Sequence, residues 1–199
     1  SNNMSTNVKV KALVLAAGSS KRFGSRKLIA KLPGGETVLR RTLNRIKLAL
    51  PNVTVISSIE LYSSISLRDS HSEIAIFADS HKGMGASLSY GIKLSQKSNA
   101  CLVCLADMPF IQTSTYREIA SKLTKNNIVV PVYKGKQGNP VGFGERFFRE
   151  LASLSGDKGG RTLIDKYSDS TSYISVDDPT ILYDIDTPED LEKYINLTS

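Results

Sequence analysis

Apolar runs of strand length alternate with amphipathic helical segments along this chain, and that alternation constrains the fold more than any other feature. Val10 to Leu15 (VKALVL), Val53 to Ser57 (VTVIS), Ile74 to Ala78 and the fully apolar Ala100 to Leu105 read as strands. Thr37 to Leu50 reads as a helix, with Val38, Leu39, Leu43, Ile46 and Leu50 on one stripe. Pro51-Asn52 breaks it, and Ala86 to Gln96 forms a second helix. Thr113 or Ser114 caps a third, running to Lys125. Ile128 to Tyr133 is strand-like, with Pro131 placing it at an edge or a bulge. Glu145 to Leu154 and Gly160 to Tyr167 read as short helices, and Ile174 to Val176 and Ile181 to Ile185 as short strands. The last helix starts with Thr187 as N-cap, Pro188 at its first position and Asp190 at its third, close to a capping box. The pattern predicts an α/β fold: a three-layer, Rossmann-like sandwich with a mostly parallel sheet covered on both faces. Ligands of such folds bind beyond the carboxyl ends of the strands, which selects the loops after Leu15, Leu105 and Ile185.

With 199 residues, 40% hydrophobic and 23% charged, the chain suits one globular domain, expected over residues 8–197. Residues 1–7 read as a tag remnant (Ser1-Asn2-Asn3 before Met4) and a disordered N-terminus. No apolar run approaches the ~18–20 residues of a membrane span, and no secretory signal is visible, so a cytoplasmic protein without membrane partners is expected. Cys101 and Cys104 lie three apart in one strand and so face opposite ways. They read as small buried hydrophobes, not as a disulfide or metal pair. Residues 1–50 carry 11 basic side chains and one acid, whereas residues 51–199 carry 15 and 18. This asymmetry points to a local polyanion site, although Arg40, Arg41, Arg45 and Lys47 read more simply as a solvated helix face.

The loop after the first strand, Ala16 to Lys27, is rich in Gly, Ser and basic residues. Small residues let the backbone approach a ligand, and successive N–H groups cradle an anion. Arg22 and Lys27 can neutralise phosphate charge. The P-loop pattern fails, because five residues separate Gly18 from Gly24 and Ser-Arg follows. A Rossmann GxGxxG also fails. Asp107, after the fourth strand, is either a hard-cation ligand or the cap of the turn before Pro109. Asp184 and Asp186 share a face of the last expected strand, and Asp186 lies nearer its end. Glu189 and Asp190 suit the helix dipole better, which leaves Asp186 for a metal. His81 reads as a surface loop residue, and Tyr90, Tyr116 and Tyr133 as packing residues.

These three loops resemble the MobA-like NTP transferase superfamily. LAAGSSKRFGSRK is similar to its first loop, Asp107-Met108-Pro109 to its metal-binding segment, and DIDTPEDL to its final helix start. Gly83-Met84-Gly85-Ala86-Ser87-Leu88, Gly138-Asn139-Pro140-Val141 and Gly156-Asp157-Lys158-Gly159-Gly160-Arg161 look like segments of the molybdenum cofactor cytidylyltransferases. Phe23 and Gly160 depart from that group's usual Met and Ala. The resemblance implies the nucleotide-diphospho-sugar transferase type of sheet and transfer of NMP, CMP above all, from an NTP to molybdopterin with release of pyrophosphate. It implies Arg22, Lys27 and Asp107 as catalytic residues and Mg²⁺ on Asp107 and Asp186. Leu15, Ala16, Ala17, Gly18, Ser20, Arg22, Lys27, Gly85, Ala86 and Ser87 would bind the nucleotide, CTP before GTP. Asn139, Pro140, Asp157 and Arg161 would bind the acceptor, and a molybdoenzyme or its accessory protein would be the receiving partner.

Three other readings compete. A related enzyme could use another small phosphorylated acceptor. A silent protein could hold a nucleotide or cofactor without turnover. A nucleic-acid module would need aromatics among its basic residues, and Phe23 is the only aromatic in residues 1–50, so no nucleic-acid partner is expected.

Overall fold

In the computed structural model, residues 8–16, 26–64 and 72–199 are described. Strand β1 (Val10–Ala16) is followed by the short helix α1 (Arg26–Ile29), helix α2 (Val38–Ala49) and strand β2 (Val53–Ser57). Helix α3 (Ile59–Ser64), strand β3 (Glu73–Ile76), helix α4 (Met84–Lys93) and strand β4 (Ala100–Leu105) complete the first half. The second half holds α5 (Thr113–Ser121), β5 (Ile128–Tyr133), β6 (Lys136–Gln137) and β7 (Val141–Gly144). It ends with α6 (Phe148–Leu151), α7 (Arg161–Lys166), β8 (Thr171–Ser175) and α8 (Pro188–Thr198).

The sheet runs β3-β2-β1-β4-β7-β5-β6, and β8 also pairs with β5. Strands β1 to β4 pair in parallel, as do β5 and β8. β7 lies antiparallel between β4 and β5. The order reverses at β1, so the chain leaves β1 and β4 side by side and opens a crevice there. The mostly parallel α/β fold is therefore as expected.

Residues alternate across β1: Ala12, Val14 and Ala16 enter the core under α2, α5 and α8, whereas Leu13 and Leu15 enter the core under α4, α6 and α7. Cys104 lies in the first core and Cys101 in the second, both free. Burial pushes the Cys101 thiol up to about 11 and the Cys104 thiol higher still, so both stay as inert hydrophobes. Pro131 sits where pairing has left β7, which ends at Val129, and not yet begun with β6 at Val132. Its missing N–H therefore costs no ladder bond.

The caps of α2 and α8 are as the sequence predicts. Thr37 accepts from the N–H of Arg40 at 3.1 Å, and Thr187 and Asp190 form a reciprocal capping box. The last expected strand is absent. Pro179–Leu182 is a 3-10 turn, and residues 183–187 run in no regular element. Asp178 is its N-cap, with Pro179 behind it, a start signal that ends any strand at that point. The helix read over Glu145 to Leu154 is a 3-10 turn, Glu145–Phe147, running into α6. No helix of the described residues is long and apolar enough to cross a membrane.

Candidate functional site

The carboxyl ends of β1 and β4 open onto a cavity of about 380 Å³. Leu15, Leu28, Leu105, Gly83 and Met84 give it apolar walls, and Lys27, Asp107, Asp157, Asp184 and Asp186 supply its charge. Lys27 is the joint of the site. It stands on α1, and its Nζ lies 2.6 Å from Asp107 Oδ2 and donates to the Ile185 carbonyl at 3.0 Å. One ammonium thus ties the loop after β4 to the 184–186 segment. The Lys27 and Asp107 side chains are only 12% and 21% exposed, so their attraction is less screened than at an open surface.

Asp184 lines the same cavity. Partial desolvation raises its carboxyl above the usual carboxylate range, and the like charges of Asp107 and Asp186 push it further up. Lys27 and Arg161 oppose that shift. Because the folded chain holds this proton more tightly than the unfolded one, the group favours folding at low pH. It opposes folding as pH rises through its raised value. Asp184→Asn is therefore expected to raise the Tm of the protein in EDTA at pH 7. A lower Tm would mean that the Asp184 charge is compensated in the folded state. Asp190 is occupied by capping and accepts from the N–H groups of Asp186 and Thr187. The Asp186 N–H holds its carboxyl below the usual range, and the Asp186 side chain is left facing the cavity.

A second cavity of about 270 Å³ shares Leu15, Met84, Leu105 and Asp157 with the first. Its remaining wall is apolar (Leu88, Val103, Val141, Phe143), and Asn139 and Arg161 are its polar groups. Arg161 Nη2 donates to the Gly138 carbonyl at 2.9 Å. Val141 and Phe143 belong to β7 and project from the antiparallel strand.

The structure brings together Leu15, Lys27, Asp107, Asp157 and Asp186 around the first cavity and Asn139 and Arg161 around the second. Ala16 is buried at the end of β1, and Pro140 is buried behind Asn139. Ala17, Gly18, Ser20 and Arg22 lie outside the described residues. Among the described residues, Gly85, Ala86 and Ser87 do not line either cavity; Gly83 and Met84 do. Ser87 is 1% exposed, and its Oγ has no partner among the described residues. The physical reason is the packing of α4 on the Gly156–Lys158 turn. A Cβ on Gly85 would lie 2.2 Å from the Lys158 carbonyl oxygen, and the Ala86 N–H donates to the Gly156 carbonyl at 3.2 Å. Gly85→Ala is expected to cost about 1–3 kcal/mol by overpacking. An unchanged urea midpoint would show that the two turns do not meet this closely. Asp184 and Met84, to which the sequence assigns no role, also line the first cavity. His81 is exposed, as expected.

The basic face of α2 is only partly solvated. Arg41 pairs with Glu36 at 3.1 Å, and Arg45 donates to the Ile111 carbonyl at 3.3 Å.

Comparison with known proteins agrees with this fold. The MobA-like NTP transferase domain matches residues 12–171. The purine catabolism protein PucB of Bacillus subtilis (strain 168) is 27% identical over 193 residues, which cover 89% of this chain and 92% of PucB. The crystal structure of Rv0371c from Mycobacterium tuberculosis H37Rv superposes with a TM-score of 0.82 at 25% identity, covering 96% of this chain and 99% of that one. Its manganese complex gives a TM-score of 0.78 at 23% identity, covering 94% and 98%. The chain belongs to the MobA-like NTP transferase family and is a nucleotidyltransferase.

Proposed function

We propose that this nucleotidyltransferase moves NMP, CMP in preference to GMP, from a metal-bound NTP to a phosphorylated, ring-bearing acceptor of the molybdopterin type. The observation that carries the reading is the Lys27 ammonium, set between Asp107 and the Ile185 carbonyl on the wall of a cavity that Asp184 and Asp186 share. An acceptor phosphate oxygen forms a bond to the α-phosphorus, and the bond from that phosphorus to the pyrophosphate oxygen breaks. Such transfer asks for positioning and charge neutralisation more than for covalent help from the protein. Lys27, with Arg22 of the first loop, takes the triphosphate and the charge that builds on the leaving pyrophosphate. Leu15 and Ala16 end β1 where the phosphates enter, and Ala17, Gly18 and Ser20 offer backbone and hydroxyl contacts to them. Gly85, Ala86 and Ser87 act behind Met84, as the support of the nucleotide wall. Asp157 lies where the two cavities join and Asn139 and Arg161 line the second, so these residues, with Pro140 holding Asn139, suit the acceptor. Residues 8–197 act in this reading as one catalytic domain.

The carboxylates fit a divalent ion. Among the described residues no three acidic side chains gather closely enough to enclose an ion by themselves. That suits Mg²⁺, which takes one or two carboxylates and completes its shell with phosphate oxygens and water. Asp107 and Asp186 would hold it, and Asp184 would add negative potential. When bound, the ion neutralises phosphate charge and polarises the α-phosphoryl group. Manganese in the Rv0371c complex supports a divalent ion in this fold, and a reaction run with Mg²⁺ and Mn²⁺ separates the two. The apolar wall of the second cavity supports an acceptor with a ring system beyond its phosphate. PucB, named for purine catabolism, is consistent with work on a heterocyclic cofactor.

The test is transfer of α-³²P label from CTP, GTP or ATP to molybdopterin. Labelled dinucleotide from CTP supports the reading in full. Label transferred from GTP alone replaces the base, and label transferred only to another phosphorylated acceptor replaces molybdopterin. Metal-dependent nucleotide binding with no transfer to any acceptor would turn the protein into a silent binder.

A further inference from the structure

At the opposite edge of the sheet, where β1, β2 and β3 begin, lies a third cavity of about 540 Å³. Lys9, Lys11, Lys93 and Lys97 line it, and Glu73 is the one acidic residue among the described residues of its walls. None of the four lysines has a carboxylate partner among the described residues. Lys11 is only 8% exposed, because β1 points it toward the end of α4. Its Nζ makes one long bond, to the Leu94 carbonyl at 3.4 Å. An ammonium has three protons to donate, and a buried one is costly unless paired. The partial negative charge at the carboxyl end of α4 offsets about half an elementary charge, against four cations around one concavity.

We propose that this cavity binds a compact, multiply charged anion of the phosphate class, at a site separate from the nucleotide cavity. The chemistry of the lining selects that class. Lysines act as point charges for phosphate oxygens. Among the described residues the wall holds no aromatic side chain, which favours a compact anion over a base or a nucleic-acid strand. Its size lies within the range of small-molecule sites, about 300–1,000 Å³. Buried Lys11 and exposed Lys93 and Lys97 line one concavity, which suits a small polyanion better than a flat acidic protein surface.

The experiment is calorimetric titration of the full chain with inorganic tripolyphosphate in EDTA at low salt. The proteins are wild type, the double variant Lys93→Gln/Lys97→Gln, and Lys27→Ala, which weakens the nucleotide cavity. Two binding events are expected in wild type. The double variant should lose one of them by tenfold or more, a charge-assisted contact being worth about that factor, and Lys27→Ala should weaken only the other. Amide shifts of residues 93–98 in labelled protein should saturate with the event that the double variant loses. The double variant should also melt no lower than wild type without anion, because it relieves repulsion. A single event, removed by Lys27→Ala and untouched by the double variant, would overturn the proposal. So would shifts at residues 93–98 that sodium chloride reproduces at equal ionic strength, which is screening and not binding.

Discussion

Asp107→Asn is expected to lower kcat by about 10²–10³, the order lost when one preorganised electrostatic group is removed from a transfer site, while the Tm stays within a few degrees of wild type. Asn keeps the shape of the side chain and removes its charge. Two consequences follow from the geometry. The divalent ion would lose one of the one or two carboxylates it takes, and Lys27 would lose the negative charge that lies 2.6 Å from its Nζ. Lys27 would still hold the Ile185 carbonyl at 3.0 Å, so the loops would stay joined and the fold intact. Steady-state rates over a range of Mg²⁺ and Mn²⁺ concentrations, together with a melting curve, read both effects. A near wild-type kcat at saturating metal would remove Asp107 from the reaction and return it to the role of a turn cap before Pro109.

Asp178→Ala is expected to cost about 3–5 kcal/mol of stability, as when one partner of a buried charged network is deleted. Asp178 is 1% exposed. One carboxylate oxygen accepts from the Gln112 N–H at 3.1 Å and the Thr115 hydroxyl at 2.7 Å. The other accepts from the N–H of Thr180 at 3.0 Å and its hydroxyl at 2.5 Å. The carboxylate thus bolts the segment leading to Asp184 and Asp186 onto the end of the loop that carries Asp107. Removing it strands buried donors on both sides, and the activity of the surviving folded fraction should fall as the two loops separate. Urea denaturation measures the first effect. A loss below 1 kcal/mol would show that water replaces the carboxylate freely.

Legibility in the sequence followed the strength of local signals. β1, β2 and β4 are runs that only a sheet covered on both faces accommodates, and α1 and the loop after β4 bring Lys27 and Asp107 to one cavity. β7 was hidden. It has four residues, two of them Gly, and its pairing is antiparallel and nonlocal, so no alternation over its own length marks it. Gly138 to Val141 read as a loop motif for the same reason. The sequence favours Asp186 over Asp184 only along a strand that does not form. The signal against that strand was present: Asp178-Pro179 repeats the cap-then-proline start of Thr187-Pro188. The inward turn of Ser87 and the close approach of Gly85 to Lys158 depend on a contact between segments some 70 residues apart, which no window along the chain reads.

The measurement that tests the account most directly is calorimetric titration of CTP, GTP and ATP into wild type and Lys27→Ala, first with Mg²⁺ and then with excess EDTA. The account predicts saturable binding that prefers CTP, weakens in EDTA and weakens again in Lys27→Ala, most strongly at low salt, where that charge is least screened. Equal affinity in both proteins, with and without the metal, would contradict it, because neither the Lys27 ammonium nor the carboxylates beside it would then be holding the triphosphate.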